Sequence, residues 1–389
     1  MTRHVLLLNS DKPQVLRALA KRDDLRIRVI TRPVYAALYP ESAGFDTAFV
    51  DSFEDLGQIE RAAYELARRG PIEHVLAPTE KSVVAAGWIR TLLGVRPGPT
   101  VEQSLYAAHK WVMKRRLREC GLPVTDFAQA GSIDVIAEAA ESVGWPVIVK
   151  PVFGSGAKCT HRLDSAAHLA AATAAGELDA LAARGLPIQV ERLVRLRGEY
   201  HCDGIVRDGE IRRAAVARYF VPPLATDHTY VGSHFVDQHG PFARRVLELH
   251  ARVVEALGLV DGVTHLEVFE TAEGPLIGEV AIRPGGIGIA RSWHHAFGID
   301  MWDEFVAAAL GEPYRAPAKP AEAPGVRGWL QLVADPGLAE RIRTMPNIVE
   351  VLDPSPSAPG HLEVHFTAPG EDALTEFAEQ LRDPVTADR

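Results

Sequence analysis

The chain has 389 residues, which is enough for two or three domains of roughly 100–200 residues and so for a cleft between them. Its composition, 47% hydrophobic and 24% charged, is typical of a globular protein, and no segment is long and apolar enough to cross a bilayer. A net charge of −9 without a sustained basic run argues against a nucleic-acid surface. We therefore expect a cytoplasmic protein without a membrane anchor or a nucleic-acid partner.

The first hundred residues alternate between strand-like and helix-like segments. The strands are predicted at "HVLLLN", "LRIRVIT", "DTAFVD" and "HVLAPT", and the helices at "KPQVLRALAKR", "DLGQIERAAYELARRG" and "KSVVAAGWIRTLLG". Such alternation predicts a parallel sheet with helices on its faces. The run "GVRPGPT" then marks a boundary near residue 100.

The middle of the chain mixes helices and strands. A long helix is predicted at "VEQSLYAAHKWVMKRRLRECG", with Gly121 as its C-cap, and another over "SAAHLAAATAAGELDALAARG". Strands are predicted at "PVIVKPV" and "PIQVERLV". Strand signals dominate from Gly198 to Glu279, interrupted by the helix "PFARRVLELHARVVEALG".

The last part of the chain predicts a small α+β unit. The stretch "APAKPAEAPG" is interpreted as a linker, because Ala and Pro without periodicity cannot bury a face. Strands at "GWLQLVA", "IVEVLD" and "HLEVHFT" and a closing helix at "DALTEFAEQL" follow it. The three cysteines are far apart and form no CxxC pair, so neither a disulfide framework nor a structural zinc site is indicated.

The segment "VIVKPVFGSGAKC" combines a lysine with a glycine-rich loop. Lys150 ends an apolar strand, and Gly154 and Gly156 follow it. Glycines let backbone N–H groups converge on an anion and a lysine adds a positive charge, so the combination indicates phosphate binding. The spacings GxxxxGK[ST] and GxGxxG are both absent, and the segment alone favours an ordinary hairpin turn.

Two glutamates in neighbouring strand-like segments shift the interpretation from an ordinary hairpin turn towards a ligand-binding site. Glu267 in "THLEVFE" and Glu279 in "LIGEVAI" are separated by "TAEGP", a predicted turn, so a hairpin would bring them side by side. Adjacent like charges are unfavourable unless a cation lies between them, and hard oxygen ligands favour Mg²⁺ or Mn²⁺. His265 could be a ligand, although a hydrogen-bonding role is favoured. Two solvated glutamates on an edge hairpin are the alternative, which Arg283 in "GEVAIRPGG" makes less attractive.

The order of four segments resembles the ATP-grasp superfamily, and within it the carboxylate–amine and amino-acid ligases. The segments are "AHKWVMKRRLRECGLPV", "PVIVKPVFGSG", "QVERLVRLRGEY" and "HLEVFETAEGPLIGEVAIRPGG", and the resemblance covers roughly residues 95 to 310. It implies an α/β and α+β fold in three parts. These are a Rossmann-like parallel α/β domain at 1–98, an ATP-grasp domain at 99–314 with its lid lobe at about 120–190, and a small α+β domain at 315–389.

The resemblance also implies that eight positions bind ATP: Lys110, Lys150, Gly154, Ser155, Gly156, Glu191, Val194 and Glu199. The two lysines and the glycine loop are expected at the phosphates. Glu191 is expected beside adenine together with the backbone near Val194, and Glu199 at the ribose.

By the same resemblance, Glu267 and Glu279 are expected to hold Mg²⁺ or Mn²⁺, and Arg283 to hold the substrate carboxylate and the acyl phosphate made from it. Two departures from the family pattern stand out. Ala281 occupies the middle of the usual ExNxR motif and cannot coordinate a metal, and His109 replaces the aspartate that usually precedes Lys110.

Residues that select the substrates are less clearly marked. Arg291, His294 and His295 in "ARSWHHAFG" could bind the carboxylate or deprotonate the amine, with Arg291 favoured, or could simply begin a surface helix. Arg218, Tyr219 and the loop "PPLATDHTYVGSHF" are candidates for the acceptor pocket, with plain loop packing as the alternative.

The expected function is therefore ATP-dependent ligation of a carboxylate, of an amino acid or small acid, to an amine, with ADP and phosphate as products. A bicarbonate-activating enzyme similar to biotin carboxylase is one alternative. A nucleotide-binding protein without turnover is another, and Ala281 is the feature that favours it. Relatives of this kind often form dimers, so a homodimer is one expected assembly.

Overall fold

Three β-sheets follow one another along the chain, within the residues that the structure describes. The structure is a computed structural model, and it describes residues 2–40, 44–226, 230–316, 325–334, 337–355 and 360–382. Most of the predicted linker "APAKPAEAPG" and residues 227–229 of the loop "PPLATDHTYVGSHF" lie outside these ranges. No described helix has the length and hydropathy that a bilayer-spanning segment needs.

The first sheet is parallel, as the alternating pattern predicts. Its strands, in the spatial order β3-β2-β1-β4, are β1 (Arg3–Leu8), β2 (Leu25–Thr31), β3 (Asp46–Phe49) and β4 (His74–Leu76). The connecting helices are α1 (Pro13–Ala20), α2 (Leu56–Ala67) and α3 (Glu80–Leu93). Residues 5–8 of β1 are fully buried because the sheet is covered on both faces, which explains the unbroken apolar run.

The prediction of one continuous helix from Val101 to Gly121 is wrong. The chain forms two helices, α4 (Val101–Tyr106) and α5 (Lys110–Glu119), with a break at residues 107–109. The break is stabilised because the imidazole Nδ1 of His109 accepts a hydrogen bond from the Val112 N–H at 3.4 Å and so caps α5. The Lys110 N–H also donates to the Val152 carbonyl. Lys110 therefore begins a helix rather than lying in the middle of one.

The second sheet forms the predicted lid lobe and is antiparallel. In the order β5-β8-β6-β7 its strands are β5 (Phe127–Ala130), β6 (Val147–Pro151), β7 (His161–Leu163) and β8 (Ile188–Arg192). One face carries α6 (Ile136–Val143), α7 (Ala166–Ala174) and α8 (Asp179–Ala182). The single helix predicted over residues 165–185 is wrong, because Gly176 adopts a φ of +75° and ends the first segment.

The third sheet has eight strands within the described ranges, in the order β13-β12-β9-β10-β11-β14-β16-β15. Its strands are β9 (Gly198–Arg207), β10 (Glu210–Tyr219), β11 (Tyr230–Phe235), β12 (Gly262–Glu270), β13 (Pro275–Ala281), β14 (Val326–Val333), β15 (Ile348–Leu352) and β16 (His361–Ala368). Its helices are α9 (Pro241–Leu257), α10 (Ile289–Phe297), α11 (Met301–Ala309), α12 (Leu338–Arg343) and α13 (Glu371–Arg382).

The first and third sheets share one hydrophobic core. Leu7 and Val29 of the first sheet belong to the same buried cluster as Trp293 of α10, Met301 of α11 and Trp329 of β14. The division into residues 1–98, 99–314 and 315–389 remains our proposal, and β14–β16 of its last part continue the central sheet.

That continuity depends on the antiparallel pair β11–β14, in which Gly232 lies opposite Leu330. A Cβ atom at Gly232 would lie 2.3 Å from the Trp329 carbonyl oxygen and 2.5 Å from a Leu330 methyl group. The pair therefore requires a residue without a side chain at this position.

We expect Gly232→Ala to lower the thermal unfolding midpoint, because overpacking a tight contact costs about 1–3 kcal/mol. Circular dichroism during heating measures it. Gly131→Ala is the matched control, since a Cβ atom there has no neighbour within 4 Å. An unchanged midpoint for Gly232→Ala would contradict the close approach of β11 and β14.

A buried ion cluster fastens the lid sheet to α5. The Lys114 ammonium lies 3.0 Å from one Glu191 carboxylate oxygen, and the Lys150 ammonium lies 2.9 Å from the other. The side chains of Lys114 and Glu191 are 1% and 5% exposed. Burial raises the pKa of Glu191, but the two lysines outweigh it and bring the pKa down to about 2.

Because the Glu191 pKa is lowered on folding, its contribution to stability is present above the unfolded value of 4.5 and is lost as the pH falls towards 2. Between about pH 5 and pH 2.5 we expect the wild type to lose roughly 2–3 kcal/mol more stability than Glu191→Gln. Urea unfolding at both pH values measures the difference. The exposed Glu376→Gln is the control, and equal pH slopes for wild type and Glu191→Gln would contradict the ion cluster.

Candidate active site

Two glutamates face each other across the hairpin β12–β13, as the intervening turn predicts. Glu267 pairs directly with Glu279, and His201 of β9 lies opposite Glu267 on its other side. Flanking residues Leu266 and Val280 point into the core below the sheet. Period-two alternation therefore places the acids on the face that the lid sheet overhangs.

Lys110 reaches the same place from the start of α5. Its ammonium donates hydrogen bonds of 2.8 Å both to a Glu279 carboxylate oxygen and to the Gly154 carbonyl oxygen. The side chain is only 7% exposed, so the ion pair with Glu279 is well shielded from water. The replacement of the usual aspartate by His109 has not displaced this lysine from the glycine loop.

The glycine loop connects β6 to β7 above the acids. Gly154, Gly156 and two non-glycine residues, Ala157 and Cys159, have positive φ angles. Ser155 and Gly156 are exposed. A backbone of this kind can turn several N–H groups towards one anion.

Glu199 adds a third carboxylate to this part of the cleft. Burial and then the negative charge of Glu267 raise the pKa of Glu199 to about 8, while Lys150 opposes the rise. Glu199, Glu267 and Glu279 thus bring three carboxyl groups to this part of the cleft. Carboxylate oxygens without a nearby thiolate could hold Mg²⁺ or Mn²⁺, so the donor set fits such an ion. Ala281 is buried opposite His265 and contributes no ligand.

A buried row of polar side chains lies beside Glu267 on the same face of the sheet. The His265 imidazole lies 3.6 Å from a Glu267 oxygen and 2.9 Å from an Asp203 oxygen, and Asp203 also bonds His201 at 2.6 Å. Burial lowers the pKa of His265, but the Asp203 carboxylate outweighs it and raises the pKa to about 9. His265 therefore hydrogen-bonds to acids, which is the role the sequence favours.

Arg283 follows the end of β13 and pairs with Glu80, the first residue of α3. Its other terminal nitrogen donates to the Pro284 carbonyl oxygen at 2.7 Å. Burial raises the pKa of Glu80, but the adjacent guanidinium outweighs it and brings the pKa to about 2. The guanidinium is thus fixed at the start of the Pro-Gly-Gly turn.

A cavity of about 280 Å³ opens beside this turn. Its walls are α1, the turn itself and α10, which contributes Arg291 and His294. Arg291 pairs with both oxygens of Glu350 at 3.1 Å, and His295 hydrogen-bonds Glu350 at 2.9 Å. Arg291 therefore lies in the cavity wall, where it is already neutralised by a carboxylate of β15.

The remaining candidates lie around this cleft. Val194 lies two residues after the end of β8, an inner strand of the lid sheet. Tyr219 is buried with its ring 5.0 Å from that of His201, whereas Arg218 donates to the Arg197 carbonyl oxygen.

Three charged residues of the cleft are missing from the sequence-based set. Lys114 follows Lys110 by one helical turn, and that i, i+4 spacing was the available signal. Asp203 continues the alternation Glu199, His201, Asp203 along one face of β9, which is an unusual pattern for a buried strand. Glu80 had no local signal, because its partner Arg283 is 203 residues away.

Comparison with known proteins identifies this arrangement. Residues 115–290 match the family model of the ATP-grasp domain. The L-arginine-specific L-amino acid ligase of Bacillus subtilis is 35% identical over 336 residues, which cover 84% of this chain and 80% of that protein.

Two solved structures share the fold over nearly the whole chain. The L-amino acid ligase from Bacillus licheniformis gives a TM-score of 0.74 at 15% identity, covering 98% of this chain and 97% of that one. Carboxyaminoimidazole ribonucleotide synthase from Aspergillus clavatus gives 0.74 at 18% identity, covering 99% and 98%. The chain therefore belongs to the ATP-grasp carboxylate–amine ligases and is an ATP-dependent, ADP-forming enzyme of that family.

Proposed function

We propose that the enzyme joins the carboxylate of one L-amino acid to the amino group of a second amino acid. The observation that carries this proposal is the course of one segment: β13 brings Glu279 to Lys110 and the glycine loop, and the next turn brings Arg283 to the cavity wall. A volume of about 280 Å³ suits a small molecule, since pockets for drug-sized ligands span roughly 300–1,000 Å³. The ligase of Bacillus subtilis is named as specific for L-arginine, so arginine is the first acid to test.

We assign the nucleotide to the cleft between the lid sheet and the central sheet. Lys110, Lys150 and the loop at Gly154, Ser155 and Gly156 would contact the phosphates. The hinge acid Glu191 with the backbone near Val194 would contact adenine, and Glu199 the ribose. In support, the Lys110 ammonium forms an ion pair with Glu279 and the Lys150 ammonium forms one with Glu191. Lys110 also donates a hydrogen bond to the Gly154 carbonyl oxygen of the loop.

Glu267 and Glu279 are the residues that would hold Mg²⁺. Such an ion neutralises charge on phosphate oxygens when it is bound. His265 keeps Glu267 oriented towards the cleft through the contact at 3.6 Å, and Lys110 does the same for Glu279 at 2.8 Å. The position of Ala281 leaves the set with two side-chain carboxylates on this hairpin.

The chemistry then follows from the order of charges along the cleft. Arg283 holds the substrate carboxylate with one oxygen directed at the γ-phosphorus, and its planar guanidinium suits a carboxylate better than a lysine would. Attack transfers the phosphoryl group, which releases ADP and gives an acyl phosphate. An amine then attacks the acyl carbon, the C–N bond forms and phosphate leaves.

Water must be kept from the acyl phosphate. The loop between β6 and β7 lies over the acids and is exposed at Ser155 and Gly156, so its closure on the phosphates would shield the reacting atoms. Lys110 links this loop to Glu279, which couples loop position to the carboxylates of the hairpin.

We expect Glu279→Gln to reduce ADP release by at least about 100-fold, since it removes charge stabilisation from the transferring phosphoryl group. The assay measures ADP and phosphate with Mg·ATP and single amino acids, amino-acid pairs or bicarbonate. Glu273→Gln, in the exposed turn of the same hairpin, is the matched control. ADP release at the wild-type rate in Glu279→Gln would remove this residue from the site. Release that needs bicarbonate alone would point to carboxylation instead of ligation.

Arg283→Lys tests the substrate end of the cleft. A lysine keeps the charge but loses the paired N–H donors, so the KM for the activated acid should rise about 10- to 100-fold. The KM for ATP should stay within about twofold of the wild-type value. Steady-state kinetics with each substrate varied in turn separates the two, with the exposed Arg244→Lys as control. Equal increases in both KM values would contradict the assignment of Arg283 to the acid.

A further inference from the structure

The proposed reaction leaves one charge without a partner. When two amino acids are joined, the carboxylate of the first becomes the acyl phosphate, and Arg283 is committed to it. The second amino acid keeps its own free carboxylate. A carboxylate taken into a cavity is stable only beside a cation or a set of hydrogen-bond donors, so a second cationic group is required.

Most cations in the cavity wall are already neutralised by carboxylates of the protein. The Lys21 ammonium lies 2.7 Å from Asp303 and 3.2 Å from Asp300. Arg291 is paired with Glu350. Arg283, which pairs with Glu80, is the group assigned to the donor acid. The acids that line the cavity also have partners. Asp300 forms an ion pair with Lys21, and Glu363 forms a hydrogen bond of 2.9 Å with His365.

Two cavity-lining cations have no ion pair among the described residues, namely Lys12 and Arg17. Lys12 precedes the first turn of α1, and Arg17 lies one turn further along the same helix. Lys12 is half-buried and Arg17 is exposed. The nearest acid in sequence, Asp11, accepts a hydrogen bond from the Ser10 hydroxyl at 2.7 Å.

The environment of Lys12 favours an incoming anion. Burial lowers the pKa of its ammonium and Asp11 opposes that effect, while Arg283 and Lys81 lower the pKa further and Glu80 raises it. Lys12 and Arg283 line the same cavity, so an anion bound there would be attracted to both. Gln14 on the same wall has a buried side-chain oxygen without a hydrogen-bond partner, which can accept from an amino group.

We propose that Lys12, assisted by Arg17, binds the free carboxylate of the acceptor amino acid. The inference rests on the proposed ligation of two amino acids and makes the acceptor an anionic α-amino acid instead of a simple amine. Gln14 would receive an N–H of the attacking amino group. In the step itself the nitrogen bonds to the acyl carbon, and the bond from that carbon to the phosphate oxygen breaks with its electron pair on the oxygen. The proton that the nitrogen loses passes to the departing phosphate. The carboxylate on Lys12 is unchanged.

The test compares two acceptors that differ only in this carboxylate, L-alanine and L-alaninamide, with the full-length enzyme, Mg·ATP and one fixed donor acid. We expect the wild type to show a KM for L-alanine at least about tenfold below that for L-alaninamide. Lys12→Met should raise the KM for L-alanine about 10- to 100-fold and leave that for L-alaninamide within about twofold. Arg17→Met should cause a smaller rise, because its side chain is exposed.

Arg68→Met, an exposed arginine on the neighbouring region after α2, is the matched control and should change neither KM. Equal use of both acceptors by the wild type, or equal effects of Lys12→Met on both, would overturn the inference while leaving the ligase assignment intact. An absence of amide product with every amino-acid pair would instead defeat the proposed function, and the inference with it.

Calorimetry gives a second measurement that needs no turnover. L-Alanine is titrated into the enzyme saturated with donor acid and a non-hydrolysable ATP analogue with Mg²⁺. We expect binding of L-alanine that weakens about 10- to 100-fold in Lys12→Met and much weaker binding of L-alaninamide to the wild type. Equal affinities for the two ligands would overturn the assignment of Lys12. Lys12→Gln replaces Lys12→Met if the latter fails to fold.

Discussion

The charges of Lys110, Glu191 and Arg283 are largely shielded from water, and each lies within ion-pair distance of an opposite charge. These pairs organise the cleft. Glu191 forms ion pairs with both Lys114 and Lys150. Glu279 is paired with Lys110, and Arg283 is paired with Glu80. Each pair joins elements that are distant along the chain. The same contacts that neutralise these charges therefore also set the relative positions of α5, the lid sheet, the hairpin and α3.

Where the pairing is incomplete, the sign of the surplus indicates what each end of the cleft can bind. At one end, Glu199 lies close to Glu267, and burial followed by the charge of Glu267 raises the pKa of Glu199 to about 8. Beside Arg283 the surplus is positive, on Lys12 and Arg17. A cation at one end and an anion at the other complete the balance. On the proposed function, the reaction would run from the end with Glu199 and Glu267 towards the end with Lys12 and Arg17.

The sequence predicts those parts of the fold and site that depend on neighbouring residues. Alternation gave the parallel sheet, and a turn between two strands gave the pairing of Glu267 with Glu279. The break before Lys110 was not predicted, since apolar spacing continues through it and only the cap by His109 marks it. The ion pair between Arg283 and Glu80 was not predicted either. The two residues are brought together by tertiary packing, and no local sequence pattern indicates the contact. The neutralisation of Arg291 by Glu350 has the same origin.

The hydrogen-bonded pair β11–β14 has a consequence for attempts to alter this enzyme by exchange of parts. Because β14, β16 and β15 extend the central sheet, and the core of this last part of the chain includes Tyr230 of β11, it shares both hydrogen bonds and packing with the preceding part. Cutting before β14 would expose the edge of β11, whose unpaired backbone groups would invite pairing with other chains. Chimaeras between relatives are therefore best joined outside this ladder, with the register of Ser233 opposite Trp329 preserved. If the cavity beside α1 and α10 holds the substrates, as proposed, residues of these two helices are the ones to graft onto an intact sheet.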